Sequence, residues 1–112
     1  MRRTRQERTI LSGILYRDLE QGFRYDFDGL VTPFRDSTKS FTLVKFAKDK
    51  GLPLLIGDKD MIETLRRCCD YNEIYWYKQK DLDMSKDYII DNEKLDIVYL
   101  YKKGFKIVGG YK

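Results

Sequence analysis

The chain has no histidine, only two cysteines and two prolines, and no long uncharged apolar run among its 112 residues. Each absence closes a class of function. Without histidine there is no His-dependent catalytic triad, and nearly every zinc site is excluded. Any metal would need oxygen ligands, magnesium with a nucleotide being the natural case. The two cysteines, Cys68 and Cys69, are adjacent on a stretch with helical spacing, where they cannot form an ordinary disulfide with each other. They are expected as reduced thiols in the core, and the compartment as the cytoplasm. A content of 36% charged residues leaves no room for a membrane span, and 42% hydrophobic residues argue against a disordered chain. Nor does the beginning read as a signal peptide, because Arg2, Arg3, Arg5 and Arg8 lead into only a short apolar piece containing Gly13 and Arg17. The expectation is one soluble domain with a modest single core.

What charge there is lies unevenly. The net value is +4, yet residues 1–8 carry +3 and residues 102–112 carry +4, so the body between them stands at −3. A basic-ended protein with a mildly acidic body is not a generic DNA-coating domain. The N-terminal arginines are either a solubilising end or a contact with an acidic surface.

Apolar periodicity alternates between strand and helix. Thr4 with Glu7 makes a capping box, and Ile10, Leu11, Ile14, Leu15 and Leu19 follow at helical spacing up to Gly22 as a C-cap, although Thr9 to Tyr16 could be a strand. Phe23, Tyr25 and Phe27 alternate with polar residues as in a half-exposed strand leading to Leu30–Thr32. Near residues 40–50 Phe41, Val44 and Lys48 fall on one helical line with Leu43, Phe46 and Ala47 beside it, and Gly51 stands where a left-handed cap is wanted. Leu52 to Ile56 is a continuous apolar run suited to a strand buried on both faces. Asp58 then opens a helix over 59–70 through Met61, Ile62, Leu65, Cys68 and Cys69. Strands are expected at Ile74–Tyr77, Tyr88–Ile90 and Lys106–Val108, the last ended by Gly109 and Gly110. Leu95 to Tyr101 reads either as a helix, with Leu95, Val98 and Tyr99 on one face and Gly104 as its stop, or as the first strand of a hairpin. The pattern is α/β: a small, mostly parallel sheet flanked by helices over residues 23–112, behind a basic arm or helix in residues 1–22.

Two short stretches carry chemistry. A strand, a polar turn ending in Lys39-Ser40 and a helix starting there is the layout of a phosphate-binding loop, in which backbone amides and a lysine hold polyphosphate at a helix N-terminus. Pro33 and Thr38 stand where that loop's glycines would allow close backbone approach. Tyr88-Ile-Ile-Asp-Asn92 is an apolar strand ending in an acid, so Asp91 could place magnesium opposite Ser40, or Asp91-Asn92 could simply cap the next element. Tyr75, Trp76 and Tyr77 could stack bases, but alternating aromatics in a strand are more often core.

Phe34-Arg-Asp-Ser-Thr-Lys-Ser40, the helix Leu43-Val-Lys-Phe-Ala47, the strand Leu52-Pro-Leu-Leu-Ile56, Tyr88-Ile-Ile-Asp-Asn92 and Phe105-Lys-Ile-Val-Gly109 together resemble the small phage-type P-loop NTPase-like proteins, with a degenerate Walker A motif. The resemblance covers about residues 27–112. It implies ATP or a relative at the first turn, with Lys39 on the phosphates, Thr38 and Ser40 beside them, and Ser40 with Asp91 on magnesium. It assigns no further arginine or base to hydrolysis. Together with the small size and the missing glycines it favours a non-catalytic interaction protein that docks on, and inhibits, a larger nucleic-acid-processing protein or nucleoprotein complex, in the host cytoplasm if phage-encoded. Arg2, Arg3, Arg5 and Arg8 would then touch the partner, and direct nucleic-acid binding is the lesser branch. The alternative is a Mg-ATP-binding nucleoside triphosphatase domain.

Overall fold

The computed structural model describes residues 5–23, 30–31 and 39–111. The elements are α1 (Arg5–Gly22), β1 (Leu30–Val31), α2 (Lys39–Lys50), β2 (Leu54–Ile56), a 3-10 turn (Lys59–Met61) continuing into α3 (Ile62–Cys69), β3 (Ile74–Trp76), β4 (Asp87–Asp91), α4 (Ile97–Lys103) and β5 (Lys106–Tyr111). The strands form one sheet in the order β1-β5-β4-β2-β3, and every neighbouring pair is parallel. The architecture is therefore α/β with a small all-parallel sheet. The hairpin over residues 95–108 is excluded, because β4 and β5 run the same way and α4 carries the chain between them. Asp96 opens that helix by accepting from the Val98 and Tyr99 amides, and Gly104 ends it at φ 91°.

Strand residues alternate between two cores. Leu54, Ile56, Ile74 and Ile89 face α1, α2 and α3, while Leu55, Tyr88 and Ile90 face α4. Right-handed crossovers require this division: the chain moves one way across the sheet through α2 and α3, and the other way through α4. The first core includes Leu15 and Leu19, both fully buried, so the carboxyl half of α1 is packed into the domain and a boundary after residue 22 falls within a packed unit. Tyr16 fixes the docking. Its hydroxyl donates to Asp49 Oδ2 of α2 at 2.6 Å, and burial, followed by that bond, pushes the phenol up to about 12.

Several local expectations need correction. α1 runs through Gly22 instead of being capped by it, and Phe23 already sits in the following turn; residues 24–29, where the alternating strand was expected, lie outside the described ones, as do Thr4, Thr32 and Pro33. Phe41 is 45% exposed: the line 41, 45, 48 is the outer face of α2, and Thr42, Leu43, Val44, Phe46 and Ala47 are the buried one. Asp58 caps the 3-10 turn, not α3 itself. Cys68 is exposed and Cys69 half-buried, so neither is a fully buried core thiol; Ile62 and Leu65 take the sheet-facing positions, and Cys68 falls on the outer side. Val98 likewise points outward while Leu100 is buried. β5 continues through Gly109 and Gly110 to Tyr111. Gly110 has φ 123°, and a Cβ there would lie 2.0 Å from the Ile90 carbonyl oxygen, so it is the close approach of β4 that demands glycine.

Candidate functional site

The topology singles out one place. From β2 the chain leaves outward to β3 by α3 on one face, and from β4 it leaves in the opposite direction to β5 by α4 on the other. β2 and β4 are neighbours, with Ile56 beside Asp91 at their carboxyl ends. The chain thus leaves the carboxyl ends of these two neighbours in opposite directions, and such a switch point opens a crevice, which is where open parallel sheets bind ligands.

A cavity of about 130 Å³ occupies that crevice, lined by Ser40, Ile56, Gly57, Asp58, Met61, Leu65, Asp91 and Glu93. Ser40 arrives in the first turn of α2, whose start is tied to the sheet by the Tyr111 hydroxyl donating to the Lys39 carbonyl at 2.9 Å. Gly57 lets the β2 turn press on the β4 turn. A Cβ at Gly57 would come within 2.3 Å of the Lys94 carbonyl carbon and oxygen, and Lys94 itself holds the left-handed φ of 58°.

The charged groups engage one another. Asp91 is only 8% exposed, and its Oδ1 accepts from the Glu93 N–H at 3.2 Å. Burial pushes the Asp91 carboxyl above its ordinary range, while the Glu93 N–H and the Lys39 ammonium pull the other way. Lys39 Nζ lies 3.1 Å from Glu93 Oε2. Asp58 accepts from the Asp60 amide at 3.1 Å and from Lys94 Nζ at 3.2 Å. Each turn thus carries an acid that shapes its own backbone, and two lysines bridge neighbouring elements.

The structure therefore brings Lys39, Ser40 and Asp91 to one edge of the sheet. Asp91 also does what a capping acid does, forming a turn with the Glu93 amide. Thr38 lies outside the described residues, as do Arg2 and Arg3; Arg5 and Arg8 fall in α1, and their side chains are outside the description. Of the aromatic triplet, Tyr77 is 7% exposed, Tyr75 donates to Glu73 Oε2 and is pushed up to about 12 chiefly by that bond, and the Trp76 ring sits under Lys59. Sequence reasoning missed Gly57, Asp58 and Glu93 as members of the site. The available signal was symmetry: β2 and β4 are both apolar runs that end in an acidic turn, Ile56-Gly-Asp58 and Ile90-Asp-Asn-Glu93.

No group of three or more acidic or cysteine side chains placed to hold a metal ion occurs among the described residues. No helix among them is long and apolar enough to cross a membrane. No family model, curated protein or solved structure matches the chain.

Proposed function

We propose that this is a non-catalytic interaction protein on a phosphate-loop-like α/β scaffold, which acts by docking on a larger nucleic-acid-processing machine and inhibiting it. The observation that carries the non-catalytic part is the internal engagement of the crevice: Lys39 pairs with Glu93, and Asp91 accepts from the Glu93 amide. The group that would hold phosphates is thus matched by an acid of the same chain. A volume of about 130 Å³ also falls short of the 300 to 1,000 Å³ or so of ordinary small-molecule sites. A crevice this small, with its lysine already matched by an acid, is a poor fit for Mg-ATP. The docking part rests on the small size, the resemblance and the basic end, with Arg2, Arg3, Arg5 and Arg8 contacting an acidic surface of the partner.

Titration calorimetry with magnesium and ATP tests this reading, and a flat trace is expected. One observation favours a second reading, a Mg-ATP site: Ser40 and Asp91 line the same cavity, with Lys39 near enough to draw the Asp91 carboxyl down. The two separate on Glu93→Gln, which frees Lys39. A trace that stays flat in this variant supports the docking protein; saturable heat that disappears again on Lys39→Ala overturns it in favour of nucleotide binding.

A further inference from the structure

The second face of the sheet carries a different concavity. The connection from β3 to β4, residues 77–86, contains no helix and lies beside α4, and the two enclose a cleft of about 330 Å³ whose lining includes Tyr77, Lys78, Lys80, Leu82, Tyr99 and Lys103. Tyr77 and Tyr99 meet edge to face with centroids 5.7 Å apart. Lys78 Nζ lies 5.5 Å from both ring centroids, and Lys103 Nζ lies 5.7 Å from that of Tyr99. Two ammonium groups are thus held by one tyrosine ring.

Charge makes this cleft unlike the crevice. Lys39, Lys45, Lys50 and Lys94 each have a carboxylate within 4 Å, whereas among the described residues Lys78, Lys80 and Lys103 have none. The lining contains one acid, Asp81, and no arginine. We propose that this cleft is a binding site for single-stranded nucleic acid, with Lys78, Lys80 and Lys103 on successive phosphates and the edge of Tyr99 against a base.

The chemistry selects that occupant. Lysine binds phosphate as a point charge, and here the lysines lie against tyrosine rings, which a base can pack on and the carboxylates of an acidic peptide have no use for. Cations interleaved with aromatic rings in a groove are the composition of single-strand sites. A duplex keeps its bases stacked inside and would present the rings with nothing to pack on. Three of the body's acids, Asp49, Asp58 and Glu93, are paired with lysines elsewhere, and the cleft's own lining sets three lysines against one acid. The proposal is independent of whether the crevice binds a nucleotide.

Fluorescence anisotropy of a labelled oligothymidylate of about ten nucleotides, a length within the range of single-strand sites, tests it on the full chain. Saturable binding is expected, weakening with salt at a log-log slope near −2, from about 0.7 per phosphate over three lysines. The double variant Lys78→Gln, Lys103→Gln should bind at least about tenfold more weakly and lose most of the slope, while Lys45→Gln, on the outer face of α2, should bind like the parent. Tyr99→Phe, which keeps a ring under the lysines, should retain binding that Tyr99→Leu loses. Circular dichroism of each variant checks the fold. The absence of any anisotropy change overturns the proposal. Binding undiminished in the lysine double variant overturns it too, placing nucleic acid elsewhere on the chain. Competition by polyglutamate as strong as by unlabelled oligonucleotide would assign the cleft to an acidic protein segment instead.

Discussion

The crevice between β2 and β4 and the cleft beside α4 use the same residue type to opposite effect. In the crevice, lysines meet carboxylates that the strand ends deliver, so Lys39 and Lys94 link neighbouring turns across the carboxyl edge. In the cleft, lysines lie over tyrosine rings, which orient an ammonium group without neutralising it. The lesson is that a lysine's role is set by what its backbone neighbours offer. An acid at the end of a parallel strand turns it into a strut, and an aromatic wall leaves it available to an anion. Desolvation follows the same division: Asp91 is buried in the crevice, while Lys78, Lys80 and Lys103 are exposed.

The sharpest way to break this comparison is to remove the floor of the crevice. Leu65, 3% exposed, lines that cavity and belongs to the first core. Leu65→Ala should cost about 2 to 5 kcal/mol in urea denaturation, without changing oligonucleotide anisotropy under conditions where the variant stays folded. A loss of anisotropy in the folded variant would mean that the two regions are coupled. Gly57→Ala comes next. With its Cβ forced to within 2.3 Å of the Lys94 backbone, the two turns must separate, and a loss of about 1 to 3 kcal/mol is expected. An unchanged denaturation midpoint would show that the turns are not pressed together.

Asp91 sharpens the comparison through pH. Its pKa is raised in the folded protein, so its contribution to stability is present below the unfolded value of 3.8 and is lost as the pH rises through the folded value. Asp91→Asn keeps an oxygen for the Glu93 amide and removes the buried charge. Its denaturation midpoint should exceed the parent's at pH 7, and the two should converge below pH 3.8. A lower midpoint at neutral pH would indicate that the Lys39 ammonium outweighs burial. The smallest effect is expected from Glu93→Gln, which breaks a pair whose glutamate side chain is 55% exposed. Such pairs contribute about 0 to 1 kcal/mol, so the variant should unfold within that margin of the parent while leaving Lys39 without its acid.

Much of the architecture was legible in the residues. The α2 helix with Gly51 as its left-handed stop, the apolar run of β2, and the acid at the end of β4 follow from local periodicity and backbone preference, and all are present. The parallel sheet followed from their alternation. The burial of Leu43, Phe46, Ile62 and Leu65 was also legible, because a helix must turn its apolar face to something. Exposed Phe41 and Val98 were not, since helical spacing defines a stripe without saying where its edge lies once neighbours are packed. Gly110 reads locally as a stop and is instead part of a strand, because the residue it must avoid is supplied by β4.

What the sequence determined by itself is therefore what depends on residues within a few turns of each other: the type of most elements, the Gly51 and Gly104 stops, the acid-ended strands, and the placing of Lys39 and Ser40 at a helix start. Only the tertiary structure decided the strand order, and with it the switch in direction between β2 and β4 that makes their carboxyl edge a crevice. It also decided that Lys39 meets Glu93 and that Lys78 shares a tyrosine ring with Lys103. The physical reason is range. Backbone preference acts over neighbouring residues, whereas the Coulomb and ring contacts that fix a lysine's role act over a few ångströms of space between segments that are far apart in the chain.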